Sequence, residues 1–378
     1  MAKTILKFDK VSKVFPDGTK AVDEVSFEIG EGECITFVGP SGCGKTTTVK
    51  LLNRLVEPTE GTIYLNGEDT GKVDVIALRR SIGYVIQDVG LFPHMTVAQN
   101  IALVPRLIGW SIAEREARTD QLLTLVGLDP PAFRNRYPHQ LSGGQRQRVG
   151  VARGLAADPP VILMDEPFGA LDPITRAQLQ DEFIRLRSRL KKTILFVTHD
   201  IDEAVKLGDR IAVMRSGRIV QFDPPVNILR DPVDPFVRNL VGKESGLKLM
   251  KLARISDIMT PAPDPVFEGD SIPAARQLMI ERKSDTLLVV NDREAFRGCV
   301  RFEPLMTRDG GHVTEVMDQD IPTVGDHEEI RATLEMMLRH KRVWLPVLDK
   351  ENHVKGIVTL THFACFFTQE AQGQGETS

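Results

Sequence analysis

The chain has 378 residues, a length that predicts about two domains. Hydrophobic residues make up 42% of it and charged residues 26%, which excludes a wholly disordered or collagen-like chain. No apolar run approaches the roughly 18 to 20 residues of a membrane-spanning helix, and the first ten residues lack an apolar signal-peptide core, so we expect a cytosolic protein. The net charge of −4 predicts no nucleic-acid partner. The four cysteines form no C-x-x-C pair, so neither a disulfide framework nor a zinc site is expected.

Apolar patterning predicts an α/β core that a helical segment interrupts. Residues 4–9 and 24–29 are typical of strands in a small antiparallel sheet, and residues 34–38 of a buried strand that ends at a glycine. Residues from about 88 to 157 carry Ala, Leu, Arg and Glu at amphipathic helical spacing. Continuous apolar strands then return with helical stretches between them, as a parallel sheet requires, at residues 161–165, 194–198 and 211–214.

A glycine-rich loop follows the strand at residues 34–38. Residues 39–46 match G-x-x-x-x-G-K-[ST] and open a helical run, which is the context that this phosphate-binding pattern requires. The glycines let backbone N–H groups point at phosphate oxygens, Lys45 reaches the terminal phosphates, and Thr46 can ligate Mg²⁺. An ordinary strand-to-helix turn would not need the lysine and the hydroxyl at these places. The predicted ATP-binding residues of this loop are Gly39, Pro40, Ser41, Gly42, Cys43, Gly44, Lys45, Thr46 and Thr47.

Two adjacent acids end the apolar strand at residues 161–164. In an α/β sheet this strand end lies beside the phosphate loop. We therefore predict that Asp165 holds Mg²⁺ and that Glu166 polarises the attacking water as the general base of phosphoryl transfer. Adjacent acids at a strand end are often only solvated, but the phosphate loop upstream favours the catalytic interpretation.

A second anion-binding helix start is predicted at Ser142. Its hydroxyl and the free backbone N–H groups of Gly143, Gly144 and Gln145 open the helix that follows. A plain N-cap would explain the serine but not the two helix-destabilising glycines beside it. With the phosphate loop and the two acids, the pentapeptide Leu-Ser-Gly-Gly-Gln resembles the ATP-binding cassette (ABC) ATPases over roughly residues 4–240. That resemblance implies a nucleotide-binding domain at residues 1–240, with a RecA-like core, an antiparallel β subdomain and a helical subdomain at about residues 88–157.

The resemblance also implies roles for four single residues. Gln87 resembles the glutamine that senses Mg²⁺ and the γ-phosphate, and His199 the switch histidine that contacts the γ-phosphate. Asp172 resembles the aspartate that communicates between two subunits. Phe15 stands where the family often has a tyrosine that stacks on adenine, and phenylalanine keeps the π-face. The predicted catalytic residues are thus Glu166 and His199, and the predicted Mg²⁺ ligands are Thr46, Gln87 and Asp165.

Assembly follows from the same resemblance, because the family's phosphate loop and signature pentapeptide face different directions. Two copies then pack head to tail, and each ATP lies between one phosphate loop and the partner's signature residues. The resemblance therefore implies a homodimer in which Ser142, Gly143, Gly144 and Gln145 contact the ATP of the partner subunit.

Three further stretches, at residues 53–55, 78–110 and 137–145, resemble the ATPase subunits of bacterial osmoprotectant importers. This resemblance implies a motor on the inner face of the cell membrane, bound to an integral-membrane permease and linked through it to a solute-binding protein or domain. The implied solute is glycine betaine, proline, choline or carnitine. The alternative is a regulatory ABC ATPase that is not coupled to transport.

An apolar cluster formed by Leu91, Phe92, Pro93 and Met95 lies in the part of the chain where the family receives a short helix of the permease. An exposed apolar patch suits docking. The alternative is that these residues pack inside the helical subdomain.

The C-terminal part of the chain repeats itself after a predicted linker at residues 241–252. Matching residues lie 58 positions apart without a gap, as in the pairs Ile255 and Val313, Val266 and Val324, Met279 and Met337, and Gly298 and Gly356. Two copies predict one pseudo-symmetric module rather than a solenoid, which needs at least three. The module resembles a tandem of cystathionine-β-synthase (CBS) domains, with copies at residues 253–312 and 313–370 and a tail at 371–378.

The role of this module is left open by the sequence. In the CBS family a Thr-x-x-Asp pair can hold the ribose of a nucleotide; the second copy has Thr359 and His362 at these places, and the first copy has no threonine. Three alternatives follow: a regulatory nucleotide, either a cyclic dinucleotide or an adenine nucleotide; an ionic-strength sensor; or a dimerisation module.

Overall fold

The computed structural model describes residues 3–87, 89–169, 171–242 and 245–372, and the chain divides into two compact units, up to Gly242 and from Lys243 onward. Within these ranges no helix is long and apolar enough to cross a membrane. In chain order the first unit contains β1 (Thr4–Val14), β2 (Lys20–Gly30), β3 (Cys34–Val38), α1 (Lys45–Leu52), β4 (Glu60–Leu65), β5 (Glu68–Asp69), α2 (Val75–Ser81), β6 (Ile82–Val85), α3 (Val97–Ile101), α4 (Leu103–Leu107), α5 (Ile112–Leu125), α6 (Pro130–Phe133), α7 (Gly143–Leu155), β7 (Val161–Asp165), α8 (Pro173–Leu190), β8 (Thr193–Val197), α9 (Ile201–Leu207), β9 (Arg210–Arg215), β10 (Arg218–Asp223), α10 (Pro225–Arg230) and α11 (Pro235–Val241).

The main sheet of the first unit has the strand order β10-β9-β3-β8-β7-β6. Strands β9, β3, β8, β7 and β6 run parallel, and β10 pairs antiparallel with β9. Successive residues of β7 enter opposite cores, since Leu163 packs on one face while Ile162 and Met164 pack on the other. The continuous apolar runs therefore correctly predict strands that are buried on both faces.

The remaining strands of this unit form an antiparallel sheet in the order β2-β1-β4-β5. Strands β1 and β2 each have 11 residues and extend well beyond the predicted segments 4–9 and 24–29. Phe8 and Phe27 stack across this pair with ring centroids 4.5 Å apart, and Phe27 also meets Phe37 of β3 edge-on. The two sheets therefore share one apolar core.

Helices α3 to α7 occupy the part of the chain predicted to be helical. Capping boxes begin α3, α5 and α7, at Thr96, Ser111 and Ser142. Each cap hydroxyl accepts a backbone N–H that the helix cannot satisfy itself. The start of α7 is thereby fixed at the position where the signature residues lie.

The second unit is built twice from the same elements. It contains α12 (Ser245–Leu252), β11 (Thr260–Pro261), β12 (Val266–Phe267), α13 (Ile272–Arg282), β13 (Thr286–Val290), β14 (Phe296–Arg301), α14 (Phe302–Met306), β15 (Val324–Gly325), α15 (Ile330–Arg339), β16 (Trp344–Leu348), β17 (Val354–Thr359) and α16 (Leu360–Gln372). From β12 onward each element of the first copy starts 58 residues before its counterpart, as Ile272 and Ile330 show. The internal repeat is therefore structural, and residues 373–378 of the predicted tail lie outside the described residues.

The prediction of a linker at residues 241–252 is wrong for residues 245–252, which form α12. Leu249 of this helix is fully buried, α12 packs against α15, and the N–H of Ile330 donates to Ala253 O over 3.3 Å. The glycine, serine and charged residues of this segment are typical of a linker. One apolar face is nevertheless enough to hold so short a helix against its unit.

The opening segment of each repeat copy pairs with a strand of the other copy. Thr260 pairs with Ile357 of β17, and its counterpart Asp318 pairs with Cys299 of β14. A Cβ at Gly356 would clash with Thr260 O, and a Cβ at Gly298 would clash with Asp318 O. The repeated glycines therefore permit this close approach, which joins the two copies.

Candidate nucleotide-binding and catalytic site

The phosphate loop connects β3 to α1. Gly44, the residue before α1, has a left-handed conformation with φ of 111°, and a Cβ there would clash with Ala21 O. A Cβ at Gly39 would clash with Met214 O. Pro40, Ser41 and Gly42 are exposed, whereas Cys43 and Lys45 are buried. Neighbouring strands thus hold the loop tightly, and its tip faces outward, as a backbone cradle for phosphate requires.

The ammonium group of Lys45 lies inside this loop. Its Nζ donates to Gly39 O over 2.6 Å and to Pro40 O over 3.0 Å, and lies 3.8 Å from the Sγ of Cys43. A buried cation that binds neutral carbonyls keeps its charge available for an anion. This arrangement suits the terminal phosphates of a nucleotide.

Asp165 ends β7 directly beside α1. The Thr46 hydroxyl donates to Asp165 Oδ1 over 3.1 Å, and Asp165 is only 6% exposed. Burial raises the pKa of the Asp165 carboxyl, the hydrogen bond from Thr46 opposes this shift, and the neighbouring Glu166 raises the pKa further. A hydroxyl and a carboxylate are the oxygen ligands that Mg²⁺ prefers, with phosphate oxygens completing its shell. The described residues contain no cluster of three or more His, Cys, Asp or Glu side chains that could hold a metal alone. Thr46 and Asp165 therefore fit Mg²⁺ bound together with nucleotide.

Glu166 is in contact with two other predicted site residues, Gln87 and His199. Gln87 Nε2 donates to Glu166 Oε2 over 3.2 Å, and His199 Nδ1 lies 3.3 Å from the same oxygen. The backbone of Glu166 is left-handed, with φ of 46°, and its N–H donates to Val197 O over 2.9 Å. A non-glycine residue held in this conformation is strained, and such strain is concentrated at functional sites. The carboxylate is thus held in one place, where a positioned base can take a proton from water.

The signature residues lie at the start of α7. Ser142 Oγ accepts from the N–H of Gln145 over 3.3 Å, and Gln145 Oε1 accepts from the N–H of Ser142 over 3.0 Å. Gly143 and Gly144 pack closely on Leu171 and Thr175. Among the described residues, no hydrogen bond joins these signature residues to Lys45, Asp165 or Glu166. One chain alone therefore brings together the phosphate loop and the acids predicted to be catalytic, but not the signature residues.

Comparison with known proteins decides the family. The ABC transporter model matches residues 22–169, and the CBS domain model matches residues 255–302 and 313–366. The chain is 48% identical over 358 residues to the glycine betaine/carnitine/choline transport ATP-binding protein OpuCA of Bacillus subtilis, which covers 94% of each chain. It is 40% identical over 372 residues to the osmoprotectant import ATP-binding protein OsmV of Salmonella typhimurium, which covers 96% of each. The chain belongs to the ABC transporter ATP-binding subunits.

Solved structures agree with this assignment. A dimeric ATP-binding cassette in a post-hydrolysis state, bound to ADP and Pi, is 35% identical to this chain with a TM-score of 0.53, covering 58% of this chain and 99% of the cassette. CbiO1 of Clostridium perfringens, part of an ABC transporter complex, is 29% identical with a TM-score of 0.56, covering 61% of this chain and 92% of its own. The chain is thus an ATP hydrolase, with an ABC fold followed by a CBS pair.

Asp172 and Phe15 of this ABC ATPase have local contacts in addition to the roles that the resemblance implies. Asp172 caps α8 by accepting the N–H of Thr175 over 3.0 Å, and hydrogen bonds from Thr175 lower its pKa. Phe15 is half-buried in the turn after β1, with Lys13 Nζ 5.5 Å from its ring centroid. Neither side chain contacts Lys45 or Glu166 among the described hydrogen bonds and ring contacts.

Sequence reasoning missed two residues beside the catalytic group. Arg176 donates to the carbonyl oxygens of Phe168, Gly169 and Leu171, which holds the segment after Glu166. Glu203 is 6% exposed, accepts a hydrogen bond from Gln180 over 3.0 Å, and has a pKa raised by burial. A signal for Glu203 was available, because it follows the cap residue Asp200 by three positions at the start of α9.

The candidate CBS ligand residues Thr359 and His362 contact each other. Thr359 Oγ1 accepts the N–H of His362, and His362 Nδ1 accepts the N–H of Thr359, each over 3.3 Å. The pair therefore caps the start of α16. A ribose hydroxyl would have to compete with these hydrogen bonds.

The four residues of the predicted docking cluster have different surroundings. Leu91 packs against the core of the helical subdomain, whereas Phe92 is 41% exposed and Pro93 is exposed as well. Met95 lines a groove of about 430 Å³, together with His94, Ala98, Leu103, Arg106 and Ile112. Leu91 therefore packs internally, as the alternative predicts. The groove at Met95 provides a surface to which a partner could dock.

Proposed function

We propose that this chain is the motor that drives import of an osmoprotectant of the glycine betaine, proline, choline and carnitine class. The observation that carries the proposal is the 48% identity to OpuCA over 94% of both chains, since this match includes both CBS copies as well as the cassette. The choline transport ATP-binding protein OpuBA of Bacillus subtilis is also 48% identical over 94% of each chain. A regulatory ATPase without a transport partner is not favoured, because these relatives are named for transport.

In this proposal the site acts on Mg-ATP as follows. The phosphate loop and Lys45 bind the phosphates, and Thr46 and Asp165 would hold Mg²⁺, which would neutralise charge on the phosphate oxygens. Glu166 accepts the proton of the attacking water. Gln87 and His199 orient Glu166 through the oxygen that they share. Ser142 of a second copy completes the site, so the active form is a head-to-tail homodimer.

The permease partner is proposed to dock at the groove beside Met95. The groove is lined by apolar side chains together with three arginines and one glutamate, namely Arg106, Arg115, Arg134 and Glu116, so basic groups outnumber acidic ones. Such a surface suits a short amphipathic helix with an acidic residue. Bound there, the chain lies on the cytoplasmic face of the membrane and reaches a solute-binding protein or domain only through the permease.

The CBS pair is proposed to regulate the motor, through a cyclic dinucleotide, an adenine nucleotide or ionic strength. Dimerisation alone is the competing role. The reciprocal hydrogen bonds of Thr359 and His362 weaken the case for a ribose bound by these two side chains, so a nucleotide would need other contacts.

The test is reconstitution in proteoliposomes with the permease that co-purifies with the chain. The proposal predicts ATP-driven uptake of radiolabelled glycine betaine, choline or carnitine that the Glu166→Gln variant abolishes. The double variant Met95→Asp with Arg106→Ala should no longer bind the permease but should still bind ATP. Uptake of none of these solutes by a complex that hydrolyses ATP would contradict the proposed substrate class.

A further inference from the structure

A buried carboxylate that the proposed hydrolysis does not use lies beside Glu166. Glu203, in the first turn of α9, is 6% exposed. It lines a small cavity together with Glu166, Arg176 and His199. Burying a charged carboxylate is destabilising unless hydrogen bonds and opposite charges compensate for the lost water. The partners of Glu203 therefore indicate what it does at this position.

Two hydrogen bonds and one positive charge stabilise the carboxylate of Glu203. Gln180 Nε2 of α8 donates to Glu203 Oε1 over 3.0 Å. Burial raises the pKa of Glu203, and the charge of Asp200 raises it further. Hydrogen bonds from the side chains of Thr198 and Gln180 and the charge of Arg176 lower this pKa. The carboxylate thus has compensating partners both on α8 and on the segment before α9.

The segment between β8 and α9 carries His199. Thr198, on one side of it, is 1% exposed. The N–H of Thr198 donates to Phe37 O over 3.0 Å, and its hydroxyl accepts the N–H of Asp200 over 3.0 Å. Asp200, on the other side, accepts the N–H of Glu203 at Oδ1 over 3.3 Å. Glu203 therefore bonds to both neighbours of His199, to one through its carboxylate and to the other through its backbone.

The His199 ring itself has little packing to hold it. Its side chain is 60% exposed, and its Nδ1 lies 3.3 Å from Glu166 Oε2. The position of the ring therefore depends on the backbone of its two neighbours. A displacement of about 1 Å at a group beside the reacting atoms can slow a reaction by about 10²-fold.

We propose that Glu203 is a positioning residue for His199, because its carboxylate fixes Thr198 and thereby keeps the His199 ring within reach of Glu166. This inference rests on the proposed function, which gives Glu166 and His199 their roles in hydrolysis. Among the described residues, no hydrogen bond or ion pair joins Glu203 to the phosphate loop. Glu203 therefore affects the rate of hydrolysis and not the binding of nucleotide.

The test measures kcat and KM for Mg-ATP with the full chain. Glu203→Met keeps the length of the side chain and removes both acceptor oxygens, so kcat should fall at least about tenfold while KM stays within about twofold. Glu33→Met is the matched control. Glu33 Oε2 accepts from Arg210 Nη2 over 2.8 Å just before β3, and the phosphate loop follows the other end of that strand. Glu33→Met should keep both constants within about twofold of the parent.

A second pair of variants separates positioning from packing and does not depend on the folding of Glu203→Met. Thr198→Val keeps the volume and removes the hydroxyl, so it should lower kcat as Glu203→Met does. Thr198→Ser keeps the hydroxyl and removes a methyl group, so its kcat should stay within about threefold of the parent. In the His199→Ala background, Glu203→Met should lower the remaining kcat by less than about twofold, because it acts through His199.

Parental kcat in Glu203→Met or in Thr198→Val would overturn the proposal, as would equal losses from Glu203→Met with and without His199. A loss of kcat in Thr198→Ser that Thr198→Val does not share would indicate packing and overturn it too. Parental hydrolysis by His199→Ala would contradict the proposed function. Slow hydrolysis by His199→Ala beside a parental Glu203→Met would overturn this inference alone.

Discussion

Glu166 Oε2 is the atom on which the proposed chemistry depends, because Gln87 and His199 both contact it. Replacing Glu166 by glutamine keeps the shape and removes the base. We expect Glu166→Gln to bind Mg-ATP with unchanged affinity, to lose about 10²-fold or more of the hydrolysis rate, and to remain as a dimer on ATP. Glu31→Gln, an exposed exchange on a turn, serves as the control. Hydrolysis by Glu166→Gln within about threefold of the parent would show that Glu166 is not the general base.

Asp165 predicts a link between stability and pH. Burial raises its pKa, so the folded state binds a proton more tightly than the unfolded state, and the ionised carboxylate destabilises the fold at neutral pH. Asp165→Asn removes this penalty and keeps an acceptor for Thr46. Without nucleotide at pH 7 we therefore expect the variant to melt at a higher temperature than the parent.

This difference should shrink as the pH falls through the folded pKa of Asp165, and vanish below its unfolded pKa of about 4, where both states of the parent are protonated. Thermal melts of both proteins at several pH values measure it. A parent that is more stable than Asp165→Asn at pH 7 would contradict the assignment. The variant should nevertheless lose hydrolysis, since the carboxylate is the proposed Mg²⁺ ligand.

Each repeat copy pairs with the opening segment of the other copy, and this pairing depends on two glycines. Gly298→Ala would place a Cβ against Asp318 O, and Gly356→Ala would place one against Thr260 O. We expect either change to destabilise the second unit by about 1–3 kcal/mol, the usual cost of overpacking, and to leave the melting of the first unit unchanged. Gly310→Ala is the control, because no atom lies within 4 Å of its added Cβ. Differential scanning calorimetry should separate the two units, and equal effects of all three changes would refute the account.

Patterns local in sequence predicted most elements correctly. The apolar runs located β3, β7, β8 and β9, and the constant offset located both repeat copies. Contacts distant in sequence were not predictable in this way. Leu249 belongs to α12, which packs against α15 about 80 residues later in the chain. Thr359 and His362 bond to each other, although their spacing is that of a ribose-binding pair. Buried Glu203 is bonded to Gln180 of α8. The proposed base Glu166 could be predicted from its place at the end of an apolar strand, whereas the role of His199 was predicted only from the family resemblance.

The division of the chain after Gly242 predicts that the first unit binds and hydrolyses ATP without the second unit. Every residue of the proposed catalytic site precedes residue 200, so deletion of residues 243–378 should leave Mg-ATP binding and basal hydrolysis within about twofold of the parent. A cut after residue 252 is a poorer design, because it would leave α12 without its packing partner α15.

In the permease complex the same deletion should remove the response of uptake to ionic strength or to a cyclic dinucleotide, since a ligand acts through its differential affinity for two states. Uptake assays on the full and shortened complexes measure this response. Unchanged responses would refute the sensor role, and joint loss of the dimer and of activity would favour dimerisation.

In the proposed homodimer each ATP is hydrolysed between the phosphate loop of one copy and Ser142 of another. Mixing two inactive variants, Lys45→Ala and Ser142→Arg, tests it most directly. In a mixed head-to-tail dimer one site carries both changes and the other carries neither, so random pairing should restore about a quarter of the parental hydrolysis rate. Each variant measured alone should stay inactive. A mixture that remains as inactive as its components would contradict the composite site.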